Sequence, residues 1–211
     1  MSTATYRARR TRRATTLRRR RLAALVMLLG AGAIGIAGAG IAGYGPLADE
    51  VLEITLPLQH EDIIRQQAAD KDIDAALIAA VIFEESKFRD QTSHAGARGL
   101  MQITPQTADY IAEKSGGIAF EHGDLASPQI NIAYGAWYLR YLKDKYDGEE
   151  LAAVAAYNAG EGTVDEWVST AGGLEVFDEG DIAFPETREY VDGVMAHRAA
   201  YRKHYGDELG Y

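Results

Sequence analysis

Residues 77–88 read LIAAVIFEESKF, an apolar segment that ends in two adjacent carboxylates. On a helical wheel at roughly 100° per residue, one face carries Leu77, Ile78, Val81, Ile82 and Phe88. Glu85 projects from near the centre of this apolar face. Glu84 lies about 80° away, toward a rim where a solvated carboxylate is ordinary. The stretch therefore predicts a helix over residues 75–88 that places one carboxyl group in apolar surroundings.

The position of Glu85 indicates a candidate catalytic acid. Burial disfavours the charged form of a carboxyl group and raises its pKa, and a carboxyl that keeps its proton near neutral pH can act as a general acid. A structural role is an equally good interpretation of the periodicity alone, since a buried Glu can also pair with an Arg or cap a neighbouring helix. Both interpretations stay open at this point.

The chain beyond residue 58 is predicted to be all-α. Alternating strand-like patterns are scarce, whereas helical spacing or helix-forming composition recurs. The predicted helices cover residues 61–69, 75–88, 107–113, 131–146, 149–157 and 186–205. Thr104-Pro105 and Ser127-Pro128 are typical of helix starts. We therefore predict one compact helical domain over residues 58–211.

The N-terminal region differs in charge from this domain. Residues 1–21 contain nine Arg and no acidic residue, so subtracting these charges from the formal net of −9 leaves −18 for residues 22–211. Residues 22–43 carry no charge and are long enough to span a bilayer as a helix. Flanking Arg prefer the cytoplasmic side, so this segment is predicted to be a signal anchor that leaves the domain extracytoplasmic, in the cell membrane. Residues 44–57 are interpreted as a linker. The alternative is a cleaved signal peptide and a secreted domain.

Composition excludes several classes of function. The chain contains no Cys, which rules out disulfides, thiolate metal sites and a Cys nucleophile. The acidic body argues against nucleic acid as a partner. The five His form no HExxH pattern, and the acidic residues 175–181 lack the spacing of a calcium loop, so they are interpreted as an exposed loop. We predict no metal and no organic cofactor.

Four sequence blocks together resemble a known family. The first runs over residues 77–107 and includes Glu85-Ser86 and GLMQ at residues 99–102; the others are SP with NI at residues 127–132, AYNAG at 156–160 and FPETREYV at 184–191. In this order and spacing they resemble the soluble-type (SLT) lytic transglycosylases. The resemblance covers most of residues 58–205. It implies a lysozyme-like, goose-type helical fold.

The same resemblance implies roles for individual residues. Glu85 matches the catalytic residue of the family. The implied substrate-binding residues are Ser86, Met101, Gln102, Tyr157, Asn158 and Tyr190. Gln102 would offer its amide to a sugar, Asn158 would face an N-acetyl group, and the Tyr190 hydroxyl would hold the catalytic carboxyl. The structural alternatives are a loop Gln bonded to backbone, a helix stop at residues 157–160 and an ordinary core Tyr.

The resemblance also implies an activity. The enzyme would cleave the β-1,4 bond between N-acetylmuramic acid and N-acetylglucosamine in peptidoglycan glycan strands and leave 1,6-anhydromuramic ends, without consuming water. One alternative is a hydrolytic muramidase, in which Glu84 or Asp90 would position a water molecule. The other is a non-catalytic module that binds peptidoglycan as a scaffold. No protein partner is predicted.

Overall fold

The computed structural model describes residues 48–116 and 119–211. The chain divides into two compact units, and the second begins at Leu56. In the first unit the described element is helix α1, Ala48–Thr55. The predicted tail at residues 1–21 and the predicted membrane span at 22–43 lie outside the described residues. Within the described ranges, no helix is both long enough and apolar enough to cross a bilayer.

The second unit, Leu56–Tyr211, is helical. Its α-helices are α2 Glu61–Lys71, α3 Ala75–Ser86, α4 Pro105–Ser115, α5 Pro128–Lys145, α6 Glu150–Ala159, α7 Glu161–Ala171, α8 Pro185–His204 and α9 Gly206–Leu209. Short 3-10 helices occur at His122–Ala126, Leu174–Val176 and Glu179–Asp181. The described residues contain no β-strand; isolated bridges pair Arg98 with Thr92 and Ile103 in the loop between α3 and α4.

The predicted all-α domain is confirmed, and the structure differs from the sequence analysis at several points. The stretch interpreted as a linker contains α1. Helix α7 was not predicted, because it begins directly after Gly160 and buries only Val164 and Trp167. The acidic residues 175–181 form two 3-10 turns rather than an irregular loop, and they are largely exposed, as predicted.

Helix α3 is the centre of the core and packs most extensively against α8. All nine residues from Ala75 to Phe83 are buried, so the helix is surrounded on every side. The prediction of a single apolar face was therefore wrong, because small Ala side chains allow neighbouring helices to approach the face that the wheel left unassigned. The Asp74 side chain caps the helix by accepting from the Ala76 N–H at 2.9 Å.

The other end of α3 turns sharply. The helix ends at Ser86, two residues before the predicted end, because Lys87 and Phe88 both adopt left-handed backbone conformations with φ of 53° and 60°. This turn carries Phe88 back into the core, where it is only 3% exposed. Glu85 therefore lies in the last turn of the helix, beside the loop that leads to α4.

Candidate active site

Glu85 and Tyr190 meet where the end of α3 packs against α8. The Tyr190 hydroxyl donates a hydrogen bond of 2.7 Å to Glu85 Oε1. Glu85 is half-buried. The predicted partnership between these two residues, which lie 105 positions apart, is present in the structure.

The surroundings raise the pKa of Glu85 to about 7. Burial is the main cause, because it removes water that would stabilise the carboxylate. The Tyr190 hydrogen bond acts in the opposite direction by stabilising the charged form, and the nearby negative charge of Glu84 raises the pKa further. A carboxyl with this pKa holds its proton in about half of the molecules at pH 7 and can give and retake it.

Tyr157 borders the same site from the end of α6. Its hydroxyl donates to the Met101 backbone carbonyl at 3.0 Å, which ties α6 to the loop before α4. Burial, reinforced by the Glu85 charge, raises the pKa of both Tyr157 and Tyr190 well above the usual range. Both phenols therefore stay protonated and act as hydrogen-bond donors around the carboxyl group.

Gln102 lies in the loop between α3 and α4, and its side chain is bonded to backbone, as in the structural alternative given for it. Its Nε2 donates to the backbone carbonyls of Gln91, at 3.0 Å, and Gly99, at 2.8 Å. The Gln91 side chain in turn donates to the Glu85 carbonyl at 3.3 Å. Both amide hydrogens of Gln102 are thus used within the loop, and Oε1 is the group that it can offer to a ligand.

Two residues predicted to bind substrate are buried instead. Ser86 is 3% exposed, and its hydroxyl donates to the Ile82 carbonyl within α3. Met101 is 0% exposed, and its sulfur packs against Gly135 of α5, where an added Cβ would lie 2.2 Å away. Both side chains therefore lie in the layer beneath the accessible surface, and their contact with substrate stays a prediction.

Asn158 keeps the accessible position that the sequence suggested. The residue is exposed, and its Oδ1 accepts from the Thr187 hydroxyl at 2.7 Å. Thr187 is 1% exposed in the first turn of α8, so the contact joins the end of α6 to the start of the helix that carries Tyr190. The bond fixes the orientation of the Asn158 amide.

Asn131 organises the loop beside the site, a role that the sequence analysis did not assign. Its buried side chain accepts from the Met101 N–H at 2.8 Å and donates to the carbonyls of Arg98, at 2.9 Å, and Leu125, at 3.1 Å. Gly99 fits against it with φ of 76°, where an added Cβ would lie 2.2 Å from Asn131 Nδ2. The NI block contains Asn131, and the GLMQ block contains Gly99 and Met101. The occurrence of both blocks in one sequence is the signal that could have suggested this contact.

Glu84 is not the solvated rim residue that the wheel predicted. Its side chain is 17% exposed, with Oε1 2.6 Å from His197 Nδ1 and Oε2 3.0 Å from Lys87 Nζ. Gly193 of α8 allows this approach, since a Cβ there would lie 2.7 Å from Glu84 Oε1. The prediction failed because α8 covers this side of α3, and only tertiary packing places His197 there.

We expect Glu84→Gln to lower the pKa of Glu85 below its value of about 7. The charge of Glu84 opposes ionisation of its neighbour, so its removal favours the Glu85 carboxylate. The measurement is a pH titration of the Glu85 side-chain carboxyl carbon by NMR. Glu166→Gln, an exposed change on α7, is the matched control and should leave the midpoint unchanged.

Tyr190→Phe should move the same midpoint in the opposite direction, because it removes the hydrogen bond that stabilises the Glu85 carboxylate. Equal midpoints in the wild type and in both variants would contradict this description of the site.

The geometry defines a general acid–base site built around one carboxyl group. No cluster of His, Asp and Glu suited to a metal ion occurs in residues 48–116 and 119–211. The chain belongs to the transglycosylase SLT domain family, whose model matches residues 62–177. This match contains Glu85, Gln102, Tyr157 and Asn158 and ends before Tyr190.

Individual relatives agree with this family. The chain is 35% identical over 162 residues to the soluble lytic murein transglycosylase of Escherichia coli K12, which is 74% of this chain and 25% of that protein. It is 31% identical over 152 residues to membrane-bound lytic murein transglycosylase C of Glaesserella parasuis, which is 67% of this chain and 39% of the relative. The chain thus spans about a quarter of the length of the soluble relative and less than half of the membrane-bound one.

Solved structures show the same similarity of fold. The 70 kDa soluble lytic transglycosylase of E. coli matches 82% of this chain, and 28% of its own, with a TM-score of 0.69 and 33% identity. An inactive Glu-to-Gln mutant of lytic transglycosylase Slt from Pseudomonas aeruginosa matches 74% of this chain, and 26% of its own, with a TM-score of 0.67 and 32% identity. The domain therefore has the lysozyme-like fold of this family.

Proposed function

We propose that this protein is a peptidoglycan lytic transglycosylase. It cleaves the β-1,4 bond between N-acetylmuramic acid and N-acetylglucosamine and leaves 1,6-anhydromuramic ends. The observation that carries the proposal is the Glu85 carboxyl group, which has a pKa of about 7 and a hydrogen bond from Tyr190, in a chain of the SLT family. The region that matches this chain is less than half of each relative. The proposed activity is therefore argued from the residues of this site and not from the names of the relatives.

One carboxyl group serves both steps of the proposed reaction. Protonated Glu85 gives its proton to the oxygen that links the two sugars as the bond to the muramic C1 breaks, and the substrate's N-acetyl group stabilises the positive charge. The Glu85 carboxylate then takes the proton from the 6-hydroxyl of the same muramic residue, whose oxygen bonds to C1. A pKa of about 7 suits both the donation and the return of the proton.

We assign supporting roles to the groups around Glu85. The exposed Asn158 amide faces an N-acetyl group, and Gln102 Oε1 accepts from a sugar hydroxyl. Tyr190 and Tyr157 hold the carboxyl group and the loop in place through their hydroxyls. Ser86 and Met101 form the buried layer beneath the site.

The environment of Glu84 argues against its use in hydrolysis, for which Asp90 is the other candidate carboxylate. A hydrolase would need a second carboxylate to position water. The Glu84 carboxylate is already paired through one oxygen with His197 and through the other with Lys87. This pairing leaves Glu84 poorly placed to act as a base. A scaffold that only binds glycan would not require the raised pKa of Glu85.

We also propose that residues 22–43 anchor the enzyme in the cytoplasmic membrane. Residues 1–21 then stay inside the cell, and residues 44–57, which include α1, connect the anchor to the catalytic domain outside. The uncharged length and the preceding Arg run support this arrangement, and a similar protein is named as membrane-bound. Cleavage of the segment would instead release a secreted enzyme, and fractionation of cells distinguishes the two.

The experiment is incubation of the full chain with purified peptidoglycan and mass spectrometry of the soluble fragments. We expect muropeptides with 1,6-anhydromuramic ends. Fragments that carry only reducing ends would identify a hydrolase. Sedimentation of the protein with peptidoglycan without release of fragments would identify a binding module, and either result would overturn the proposal.

A further inference from the structure

Helix α5 carries a row of aromatic side chains that the proposed mechanism does not use. Tyr134, Trp137, Tyr138 and Tyr141 follow the spacing i, i+3, i+4 and i+7, which places them on one face of the helix. Tyr110 of α4 and Phe120 pack against this face. All six residues are partly exposed. We call this set the α5 aromatic face.

The rings of the α5 aromatic face are held in a fixed arrangement. Trp137 and Tyr141 stack with centroids 5.7 Å apart and an angle of 2° between the planes. Tyr138 and Tyr141 stack at 6.0 Å and 10°. Tyr110 meets the Tyr141 ring edge-on at 5.6 Å. Because the rings support one another, little side-chain entropy remains to be lost when a ligand binds.

This face is continuous with the candidate active site. The Tyr138 ring lies 5.6 Å from the ring of Tyr157, the residue that borders Glu85 and bonds to Met101. Polar groups lie along the same path, where the Tyr141 hydroxyl donates to Glu161 Oε2 at 2.9 Å. Partly exposed aromatic residues beside hydrogen-bonding groups suit a ligand that has both apolar faces and hydroxyl groups.

We propose that the α5 aromatic face is a further glycan-binding subsite, where sugar rings of the strand stack on Trp137 and its neighbours at a distance from the bond that is cleaved. The inference rests on the proposed function and names a part of the substrate site that the matched sequence blocks do not assign. The apolar face of a pyranose ring fits an aromatic ring, and its hydroxyl groups fit Glu161 and the tyrosine hydroxyls.

The chain allows a direct test by fluorescence, since it contains two Trp, Trp137 and the buried Trp167. In Trp167→Phe, all tryptophan emission comes from Trp137. This change is combined with Glu85→Gln so that the probe, an N-acetylglucosamine hexamer, stays intact. We expect a saturable change in emission at the same hexamer concentrations at which calorimetry shows binding. Binding by calorimetry with no change in Trp137 emission would overturn the inference.

Kinetics provide the second test. We expect Trp137→Ala to raise KM for soluble glycan strands about 2- to 10-fold with little change in kcat, since the contact lies away from the reacting bond. The control is Tyr211→Ala, an exposed aromatic residue that bonds to Asp74 at the opposite end of α3 from Glu85. An unchanged KM with a lowered melting temperature would show that the face serves only packing.

The two proposals fail in different ways. If the wild type releases no anhydromuramic fragments, the proposed function is wrong. If it releases them while Trp137 emission and KM do not respond, the aromatic subsite alone is wrong.

Discussion

Glu85→Gln should lower the rate of peptidoglycan cleavage by about 10²-fold to 10⁴-fold, because the amide keeps the shape of the side chain but cannot donate a proton. Tyr190 can still donate its hydrogen bond to the amide oxygen, so the geometry of the site is retained. The measurement is the initial rate of release of soluble fragments by wild type and variant under the same conditions. A loss of less than about tenfold would remove Glu85 from the role of general acid.

The stability of the same variant provides the control for this experiment. The pKa of Glu85 is about 7 in the folded protein and 4.5 for a free carboxyl group, so the native state binds the proton more tightly. The stability that this proton supplies is complete below pH 4.5 and is lost as the pH rises through 7. Gln does not titrate. We expect the variant to be more stable than wild type at pH 8, by at most about 3 kcal/mol.

Asn131→Ala should lower the free energy of unfolding by about 3 to 5 kcal/mol. The buried amide bonds to the Met101 N–H and to the carbonyls of Arg98 and Leu125. The Arg98 carbonyl also accepts from the Ile103 N–H, so Ala would leave the Met101 N–H and the Leu125 carbonyl without this partner. Each buried polar group left unpaired costs about 1–3 kcal/mol. The measurement is equilibrium unfolding in urea, followed by circular dichroism.

The control for Asn131 is Gln129→Ala, an exposed change on the same helix, which should alter stability by about 0.5 kcal/mol or less. Equal stability of the two variants would show that the loop at Arg98 and Met101 does not depend on Asn131. We also expect Asn131→Ala to reduce activity, because this loop carries Gln102 beside the site.

Local patterns were sufficient to predict most helices. Capping residues and helix-forming composition are local, so α2, α3, α5, α6 and α8 were predicted close to their observed bounds. Glu85 was selected by its place on the helical wheel together with the resemblance of its sequence block to the SLT family, since the periodicity alone left a structural role open. Helix α7 was missed because Val164 and Trp167 alone do not form a periodic apolar pattern.

The details that could not be predicted depend on contacts between distant parts of the chain. Glu84 appeared solvated on the wheel of its own helix, and it is paired with His197 because α8 crosses α3 at Gly193. Met101 belongs to the same block as Gln102 but lies in the buried layer beneath it. The α5 aromatic face had the spacing of an ordinary core helix, and only the partial exposure of its residues distinguishes it.

The measurement that tests the central proposal most directly is cleavage of purified peptidoglycan in water enriched in oxygen-18. Ring closure by the muramic 6-hydroxyl takes no oxygen from the solvent, so we predict that the new ends are unlabelled 1,6-anhydromuramic residues. Hydrolysis would place a solvent oxygen on C1. New reducing ends that carry oxygen-18 would contradict the assignment of this protein as a lytic transglycosylase.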